Sequence, residues 1–370
     1  MLVESKIKVL IVDDSLVFDR FLSENLPKVQ SRIEVVGYAV NAFDAMRKIP
    51  KLKPDVLTLD VEMPQLNGID FLKQLLPKYP LPVILVSSLN VSVFDALAYG
   101  AVDFVRKPDM SGDNPSSVFI QNLASKILIA SHAKVTKPSA SSPALASRTQ
   151  MAASQSSASS SGVSSAKILK LKPSSSFRLN RTIIAIGAST GGTEATLQIL
   201  RQLPADIPGI VITQHMPKGF TKMYAERLNR LCQMNVKEAE DGDLIRRGHA
   251  FIAPGGDLQM KIVPSGSDYR IRCYAGEKVS GHRPSVDVLF QSVANTAKQN
   301  AVGIILTGMG HDGADGLLKM KKAGAYTIGQ DKASCVVYGM PMAAYDIGGV
   351  CIQAACSAIP DVLIQYLNRL

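Results

Sequence analysis

Short apolar runs alternate with longer amphipathic stretches through the first 130 residues. The apolar runs lie at residues 8–12, 34–38, 56–60, 83–87 and 102–105. The amphipathic stretches between them lie at residues 15–27, 41–51, 67–76 and 91–99. Buried strands that alternate with helices are typical of a parallel sheet covered by helices on both faces. We therefore expect a doubly wound α/β domain over residues 1–130, with its functional site beyond the carboxyl ends of the strands.

The C-terminal part of the chain repeats this α/β pattern. An apolar run at residues 182–186 leads into a glycine-rich turn and then into a helical stretch at residues 195–200. Further apolar runs that end in polar or glycine-rich segments lie at residues 210–213 and 303–306. The alternation predicts a second doubly wound parallel sheet, with a Rossmann-like α/β architecture, over residues 181–370.

A low-complexity segment separates the two patterned regions. Residues 139–165 contain twelve Ser and six Ala among 27 residues, and they contain no aromatic residue. Such a segment cannot bury enough apolar surface to offset the entropy lost on ordering. We therefore expect a flexible linker over residues 131–180 that joins two α/β domains.

The net charge of +10, from 41 basic and 31 acidic residues, raises the question of nucleic-acid binding. Residues 114–193 contain nine Lys and Arg residues but no Asp or Glu, and without these nine the chain carries +1. The positive charge therefore belongs to the linker region and not to one face of a folded domain. This distribution argues against a nucleic-acid partner.

Composition also bears on the cellular compartment. No apolar run approaches the roughly 20 residues that a membrane-spanning helix needs, so we expect no membrane insertion. The first residues carry Glu4 and lack the apolar core and cleavage site of a secretory signal. The five Cys residues form no Cys-x-x-Cys pair, which disfavours a disulfide framework or a cysteine-based zinc site. A reduced cytoplasmic setting fits best.

Polar residues follow four of the five predicted strands in the first domain. Asp13 and Asp14 follow the first strand, Asp60 closes the third, Ser87 the fourth, and Lys107 follows the fifth. Crowded carboxylates repel one another unless a cation lies among them, and oxygen ligands suit Mg²⁺. A divalent ion, a hydroxyl and an ammonium group around one carboxylate form a site for a phosphoryl group. The alternative is that these residues are ordinary strand-end polar residues without a shared role.

The motifs at these positions resemble those of response-regulator receiver domains. They are Val-Asp-Asp-Ser at residues 12–15, Asp-Val-Glu-Met-Pro at 60–64, Asn-Gly at 67–68, Val-Ser-Ser at 86–88 and Asp-Phe-Val-Arg-Lys-Pro at 103–108. The resemblance extends from residue 6 to about residue 130 and implies a flavodoxin-like fold. It also implies that Asp60 accepts a phosphoryl group from a histidine kinase.

The receiver resemblance further implies roles for the surrounding residues. Mg²⁺ would be bound by Asp13, Asp14, Asp60 and the backbone carbonyl of Glu62. The phosphoryl oxygens would contact Ser87 and Lys107. Phe104 stands where the family has its switch aromatic residue, and it has no hydroxyl group.

The glycine-rich turn at residues 187–193 in the second domain has three possible roles. It can bind phosphate at a helix N-terminus, expose a nucleophilic Ser189, or serve only as a tight turn. The Gly-x-Ser-x-Gly spacing at residues 187–191 matches a nucleophile elbow, whereas the dinucleotide pattern Gly-x-Gly-x-x-Gly is not met. Taken alone, the turn leaves these three alternatives open.

Two further strand ends favour the nucleophile. His215 follows the run at residues 210–213, and Asp312 lies in a glycine-rich loop beyond the run at 303–306. If these strands share a sheet, Ser189, His215 and Asp312 converge as nucleophile, base and orienting acid for acyl transfer. Backbone N–H groups around Met309 can then stabilise an oxyanion. The chain order Ser, His, Asp differs from the Ser, Asp, His order of α/β-hydrolases.

The remaining His residues are weaker candidates for the base. His311 is the main rival, but it precedes Asp312 directly, and consecutive side chains usually point apart. We expect His132 to be solvated beside the linker, and we expect structural roles for His249 and His282. A metal site built from His residues is disfavoured because no short ligand spacing is present.

The second domain resembles the catalytic domain of the chemotaxis protein-glutamate methylesterases of the CheB type. The matching motifs are Ile-Gly-Ala-Ser-Thr-Gly-Gly at 186–192, Gln-His-Met-Pro at 214–217, His-Ala-Phe-Ile-Ala-Pro-Gly at 249–255, His-Arg-Pro-Ser-Val-Asp at 282–287 and Leu-Thr-Gly-Met-Gly-His-Asp-Gly at 306–313. The match covers about residues 181–356, and the order receiver, linker, esterase is that of the family. His311 stands where related sequences are expected to have Asn.

This resemblance implies a phosphorylation-activated esterase. Its substrates would be glutamate γ-methyl esters on methyl-accepting chemoreceptors, with deamidation of receptor glutamines as a second activity. The kinase of the chemotaxis pathway would be the phosphodonor, and the esterase would need no cofactor of its own. Thr190, next to the nucleophile, would line the pocket.

A receiver joined to a regulator that binds DNA or a nucleotide is the rival interpretation. The charge of +10 nominally favours DNA. Against it, the positive charge lies in the linker, and the second domain alternates strands and helices instead of forming a helix-turn-helix. An esterase assay and a DNA-retention assay at two salt concentrations separate the two classes.

Overall fold

A computed structural model describes residues 5–87, 92–108, 115–135, 168–172 and 177–370. Most of the predicted linker, including the whole Ser/Ala-rich segment 139–165, lies outside the described residues. The described residues form two parallel sheets covered by helices, together with a small antiparallel sheet. The predicted α/β fold class with two parallel-sheet domains is confirmed.

The first sheet has five parallel strands, and each strand end lies within one residue of its prediction. The strands are β1 (Ile7–Val12), β2 (Ile33–Ala39), β3 (Val56–Leu59), β4 (Val83–Ser87) and β5 (Asp103–Arg106). Their order is β2-β1-β3-β4-β5. The sheet reverses its winding at β1, so the strand ends β1 and β3 form the crevice where such folds bind ligands.

Five helices cover the two faces of this sheet. They are α1 (Leu16–Val29), α2 (Ala42–Leu52), α3 (Gly68–Leu75), α4 (Ser92–Ala98) and α5 (Pro115–Ala130). Local sequence defines where the first three begin, because the side chains of Ser15, Asn41 and Asn67 accept the N–H groups of the first turns. Ser15 lies just beyond the end of β1, so this N-cap directly follows Asp13 and Asp14 at the crevice.

The second sheet has seven parallel strands. They are β6 (Ile183–Ala188), β7 (Gly209–Gln214), β8 (Asn235–Glu238), β10 (His249–Ile252), β13 (Ala301–Ile305), β14 (Tyr326–Gln330) and β15 (Ile352–Ala354), and between them in the chain lie β9 (Leu244–Ile245), β11 (Leu258–Ser265) and β12 (Asp268–Ala275). The sheet order is β15-β14-β13-β6-β7-β10-β8. The three strands that carry the predicted catalytic residues, β13, β6 and β7, are therefore adjacent.

Helices and a small antiparallel sheet complete the second unit. The helices are α6 (Phe177–Asn180), α7 (Gly192–Leu200), α8 (Phe220–Leu231), α9 (Val286–Thr296), α10 (Ala314–Lys322), α11 (Met340–Asp346) and α12 (Ile359–Leu367). The strands β11, β12 and β9 form the antiparallel sheet, which the sequence analysis did not predict. The loop between β12 and α9 returns the chain from this small sheet to the carboxyl edge of the large one.

Both ends of the predicted linker pack against the second unit. The Lys134 N–H donates to the carbonyl of Val336 at 3.1 Å, and the Leu169 N–H donates to the carbonyl of Gln202 at 2.9 Å. The side chains of Leu169 and Leu179 are buried. The structure thus differs from a linker that is loose over all of residues 131–180, because scattered leucines within that range find apolar partners.

The two units also share an apolar interface. The ring of Phe104 on β5 lies 4.5 Å from that of Phe220 on α8, and Phe94 on α4 stacks on Tyr224 at 5.7 Å. All four side chains are buried within one apolar cluster that includes residues of both units. Over the described part of the chain, no helix combines the length and the apolar character that crossing a membrane requires.

Candidate active site

Ser189 lies at the carboxyl end of β6, in the turn that leads into α7. Its N–H donates to the Thr307 carbonyl at 3.0 Å, and its carbonyl accepts the Gly192 N–H at 2.7 Å and the Gln214 side chain at 2.8 Å. The turn is therefore tied to both neighbouring strands, β13 and β7. These bonds hold the Ser189 backbone in place while its side chain remains only partly buried.

Two glycines give this turn the room it needs. Gly191 has φ of +77°, and a Cβ there would lie 2.7 Å from the side chain of Val336. A Cβ on Gly308 would lie 2.3 Å from Met340 Sδ and 2.7 Å from Ser189 Cβ. Contacts this close are not compatible with a side chain at either position. The glycine-rich pattern thus allows the nucleophile turn to pack against the loop that follows β13.

His215 and Asp312 form a direct pair on neighbouring strand ends. His215 follows β7, Asp312 lies in the loop between β13 and α10, and His215 Nε2 donates to Asp312 Oδ2 at 2.7 Å. Asp312 is 1% exposed. Because an ionised carboxylate only accepts, the bond places the proton on Nε2 and leaves Nδ1 with a lone pair. The structure thus brings together the base and the acid that the sequence analysis paired.

Asp312 is held at the N-terminus of α9. Its Oδ1 accepts the Ser285 hydroxyl at 2.7 Å and the Asp287 N–H at 3.0 Å, and its Oδ2 accepts the Val286 N–H at 2.8 Å. Burial raises the pKa of Asp312, but the hydrogen bonds and charge of His215 and the bonds from the helix outweigh burial and lower it below the ordinary value. Asp312 therefore stays ionised and can stabilise a charged imidazole.

Ser189 and His215 are neighbours without a direct hydrogen bond. The Nδ1 atom of His215 is buried and has no hydrogen-bond partner among the described residues. Ser189 is close enough to the neighbouring strand end for its carbonyl to accept from Gln214, the residue before His215. Catalytic hydrogen bonds are often loose before substrate binds and tighten in the reacting complex. The unpartnered Nδ1 is the atom available to receive the serine proton.

The loop after β13 offers a candidate oxyanion donor. The N–H of Gly308 is already engaged with the Val337 carbonyl at 3.0 Å, as is the N–H of Ser189 with Thr307. The Met309 N–H has no acceptor within the described ranges, and Met309 is 45% exposed. Of these three amides, only that of Met309 is free to donate to an oxygen that becomes negatively charged.

Thr190 contacts the first unit instead of standing open to solvent. Its hydroxyl donates to Asp103 Oδ2 on β5 at 2.5 Å, and it is buried. Asp103 also forms an ion pair with Lys126 on α5. The residue next to the nucleophile is therefore covered by the first domain in this structure.

Two side chains that touch the pair were not predicted as site residues. A structural role was expected for His282, whereas the structure places this ring flat against His215, with centroids 3.7 Å apart and planes at 8°. Ser285, whose hydroxyl donates to Asp312, was not expected in the site. Both residues belong to the motif at residues 282–287, which could have indicated them. This motif covers the end of the loop before α9 and the first turn of that helix. The rival base His311 is exposed and has no bond to the pair.

The first domain brings its predicted phosphoryl site together at the carboxyl ends of β1, β3, β4 and β5. Lys107 Nζ lies 2.8 Å from Asp13 Oδ2 and 2.6 Å from Asp60 Oδ2. Burial raises the pKa of Asp60, and the Lys107 ammonium only partly offsets it. For Lys107, burial lowers the pKa, but the bonds to both carboxylates raise it above the ordinary value. Lys107 therefore pairs with the carboxylates of Asp13 and Asp60, and a phosphoryl group on Asp60 would change these contacts.

The same crevice fits a divalent cation. Asp13, Asp14 and Asp60 offer carboxylate oxygens within 4.8 Å of one another. The Glu62 N–H donates to Asp60 Oδ1 at 3.1 Å, so its backbone lies at the rim of this cluster. The Ser87 hydroxyl is buried and has no hydrogen-bond partner in the described part of the chain. An all-oxygen donor set suits Mg²⁺, and the orphaned hydroxyl is available for a phosphoryl oxygen.

Comparison with known proteins identifies both domains. A family model described as CheB methylesterase matches residues 184–363, and one described as response regulator receiver domain matches residues 9–113. A Syntrophomonas wolfei protein-glutamate methylesterase/protein-glutamine glutaminase 2 is 49% identical over 366 residues, covering 99% of each chain. A Salmonella typhi protein-glutamate methylesterase/protein-glutamine glutaminase is 47% identical over 368 residues, covering 98% of each chain.

One solved structure is similar to part of this chain. The crystal structure of the Thermotoga maritima CheB methylesterase catalytic domain is 37% identical, covers 50% of this chain and 98% of that chain, and has a TM-score of 0.49. The family assignment rests on the relatives that match almost the whole length of this chain. The chain, which contains a receiver domain and a CheB methylesterase domain, belongs to the family of the enzymes named protein-glutamate methylesterase/protein-glutamine glutaminase.

Proposed function

We propose that this enzyme hydrolyses glutamate γ-methyl esters, and deamidates glutamines, on methyl-accepting chemoreceptors by a Ser-His-Asp mechanism. One observation carries the proposal. The pair of His215 and Asp312 lies at 2.7 Å on strand ends adjacent to the one that bears Ser189. This is the arrangement of nucleophile, base and orienting acid that acyl transfer uses.

The mechanism begins with attack of Ser189 Oγ on the ester carbonyl. His215 Nδ1 takes the hydroxyl proton, and Asp312 stabilises the imidazolium through the bond to Nε2. The Met309 N–H donates to the carbonyl oxygen as it becomes negative. Collapse of the tetrahedral intermediate breaks the bond to the methoxy group, which leaves as methanol after His215 returns the proton.

A water molecule then releases the product. His215 Nδ1 takes a proton from this water as it attacks the glutamyl ester on Ser189, and it returns the proton to Ser189 Oγ. The receptor keeps a glutamate carboxylate, so one neutral ester becomes one negative charge. With a glutamine substrate the same steps release ammonia in place of methanol. Added carboxylates change the charge of the receptor and so adjust its signalling.

The test of this function is release of methanol from membranes that carry a methylated chemoreceptor. The parent chain should release methanol, and acetyl phosphate as a small phosphodonor should increase the rate. Retention of the chain on duplex DNA at two salt concentrations is the opposing measurement. No methanol release together with salt-dependent DNA retention would contradict the proposal and favour a DNA-binding regulator.

The contact between the units supports control of the esterase by the receiver. Asp103 binds Thr190 beside the nucleophile, and Phe104 packs on Phe220 in the same interface. A receiver bound there blocks access of a receptor helix to Ser189. We infer that phosphorylation of Asp60 weakens this contact. A shift of only a few kcal/mol between bound and released forms is enough to change the activity strongly.

A divalent cation belongs to this switch. Asp13, Asp14, Asp60 and the Glu62 carbonyl would hold Mg²⁺, which neutralises charge on the incoming phosphoryl group. Ser87 and Lys107 would bind the other phosphoryl oxygens on Asp60. The phosphodonor in the cell would be the histidine kinase of the chemotaxis pathway.

Asp60→Asn is expected to remove the response to phosphodonor while leaving the basal esterase rate. The substitution keeps the side-chain size but cannot form the acyl phosphate, and the esterase residues are untouched. Methanol release is measured with and without acetyl phosphate in the parent and the variant. A variant stimulated as strongly as the parent would show that the acceptor lies elsewhere.

A fragment of residues 168–370 is expected to be faster than the unphosphorylated full chain, because it lacks the domain that covers Thr190. The fragment starts at residue 168 because Leu169 is buried and the Lys172 N–H donates to Asn368 at 2.8 Å, so both belong to the second unit. Methanol release per mole is compared at equal receptor concentration, and acetyl phosphate should not affect the fragment. A fragment no faster than the full chain would contradict steric inhibition and favour a receiver that delivers the esterase to the receptor.

A further inference from the structure

The ring of His282 covers one face of the proposed base. The imidazole rings of His282 and His215 are nearly parallel, at 8°, with centroids 3.7 Å apart. This is full face-to-face contact, because stacked rings cannot approach much closer. His282 has no proton-transfer role in the proposed mechanism, so this contact with His215 serves another purpose.

The backbone of His282 is held in place from both sides. Its N–H donates to the Val279 carbonyl at 2.9 Å, and its carbonyl accepts the Val279 N–H at 3.0 Å. The next residue, Arg283, donates to the carbonyls of Gly256 at 3.0 Å and Gly276 at 2.8 Å, and to the Asp257 carboxylate at 2.5 Å. These bonds fix the backbone of the loop and so hold the His282 ring in place against His215.

The same short segment also seats the acid. Ser285, Val286 and Asp287 provide the three donors that hold Asp312, and they follow His282 within five residues. Residues 282–287 therefore contact His215 in two ways, through Asp312 at its Nε2 edge and through His282 at its face. One hydrogen bond fixes one atom of the imidazole, whereas the stacked ring restricts the tilt of its plane.

The flat face is the part of His282 that acts on His215. Its ring nitrogens make no hydrogen bond within the residues that the structure describes, so it does not relay a proton through a protein group. Burial, and then the nearby charge of His215, lower the pKa of His282 to about 4. The ring therefore stays neutral at neutral pH. A neutral aromatic face attracts a cation placed over it, as the protonated His215 is during the reaction.

We propose that His282 is a positioning residue of the esterase: its ring clamps the plane of His215 so that Nδ1 faces Ser189. The proposal rests on the Ser-His-Asp mechanism given above. It predicts that the flat shape of the side chain at position 282 matters and that its ring nitrogens do not. It also predicts an effect on kcat and not on KM, because His282 acts on the base and does not bind the receptor.

The test uses the full chain, activated by acetyl phosphate, with membranes that carry a methylated chemoreceptor. His282→Ala removes the ring, and His282→Leu keeps apolar volume without a flat face. His282→Phe restores a flat face without nitrogens. His249→Ala is the matched control, because His249 also stacks on an aromatic ring, Phe251, but lies at the start of β10, at the opposite edge of the sheet.

The Ala and Leu variants are expected to lower kcat by about 10- to 100-fold with KM nearly unchanged, the scale of a misplaced catalytic group. The Phe variant is expected to recover kcat to within about threefold of the parent, and the His249 control to match the parent. Thermal unfolding of each variant checks that it is folded. If the Ala variant is unfolded, the comparison of Leu with Phe gives the result.

Three outcomes would overturn the proposal. They are an Ala or Leu variant as fast as the parent, a Phe variant as slow as the Ala variant, and a loss confined to KM. Ser189→Ala, assayed alongside, separates this failure from failure of the mechanism. If Ser189→Ala is inactive while the His282 variants are unimpaired, only the positioning role fails. If Ser189→Ala is active, the Ser-His-Asp assignment itself fails.

Discussion

Ser189→Ala is expected to lower methanol release on the order of 10⁴-fold or more, because it removes the only atom that forms the acyl-enzyme. The change deletes one oxygen from a side chain that is only partly buried. The backbone bonds of the turn to Thr307, Gly192 and Gln214 do not involve that oxygen. The variant should therefore fold normally and still accept a phosphoryl group on the receiver.

The matched control for this variant is Ser267→Ala. Ser267 is exposed in the turn between β11 and β12, and the same loss of a hydroxyl there should leave the rate unchanged. Methanol release and phosphorylation are measured on both variants and on the parent. A Ser189→Ala enzyme with a near-normal rate would mean that the nucleophile is another group, and the proposed mechanism would be wrong.

Asp312→Asn is expected to cost roughly 10⁴-fold in turnover, since an amide in this place favours the wrong imidazole tautomer. The carboxylate accepts four hydrogen bonds, two on each oxygen. An amide NH₂ on either side must face at least one backbone N–H of Val286 or Asp287, so one buried donor loses its acceptor. That loss typically destabilises a fold by about 1–3 kcal/mol. Methanol release and thermal unfolding of the variant measure the two effects.

His311→Asn is the neighbouring control for Asp312→Asn. His311 is exposed in the same loop and makes no bond to the His215 pair, so its replacement should change the rate by less than about tenfold. If His311→Asn were the severe variant and Asp312→Asn the mild one, the assignments of base and acid would both be wrong.

The strand ends of the first sheet, and those of β6, β7 and β13 in the second, could be predicted from sequence because two simple regularities coincide. Apolar runs such as residues 83–87 are short enough to be strands, and parallel strands all end at one edge. Any polar residue directly after such a run, as Ser189 and His215 are, must therefore lie at that edge. Local pattern and sheet topology thus predict the same location, which is why the His215–Asp312 pair was expected.

The contacts of His282 could not be predicted in the same way. His282 follows no strand of the large sheet, and it reaches His215 only because the β11–β12 hairpin and its return loop fold back over the site. Asp103 and Thr190 are 87 residues apart, and only the docking of the two units brings them together. Such contacts depend on how whole elements pack, and hydrophobic periodicity carries no information about that.

Strand β5 connects the phosphoryl site around Asp60 with the docking contact at Thr190. Its first residue, Asp103, binds Thr190, and Lys107, directly after its end, binds the Asp60 carboxylate. If a phosphoryl group on Asp60 weakens docking of the units, then docking must disfavour the phosphorylated state by the same free energy. A receptor that displaces the receiver from Thr190 would therefore make Asp60 easier to phosphorylate. Substrate would in this way act as an effector of the receiver, and the enzyme would respond most strongly where unprocessed receptor is most abundant.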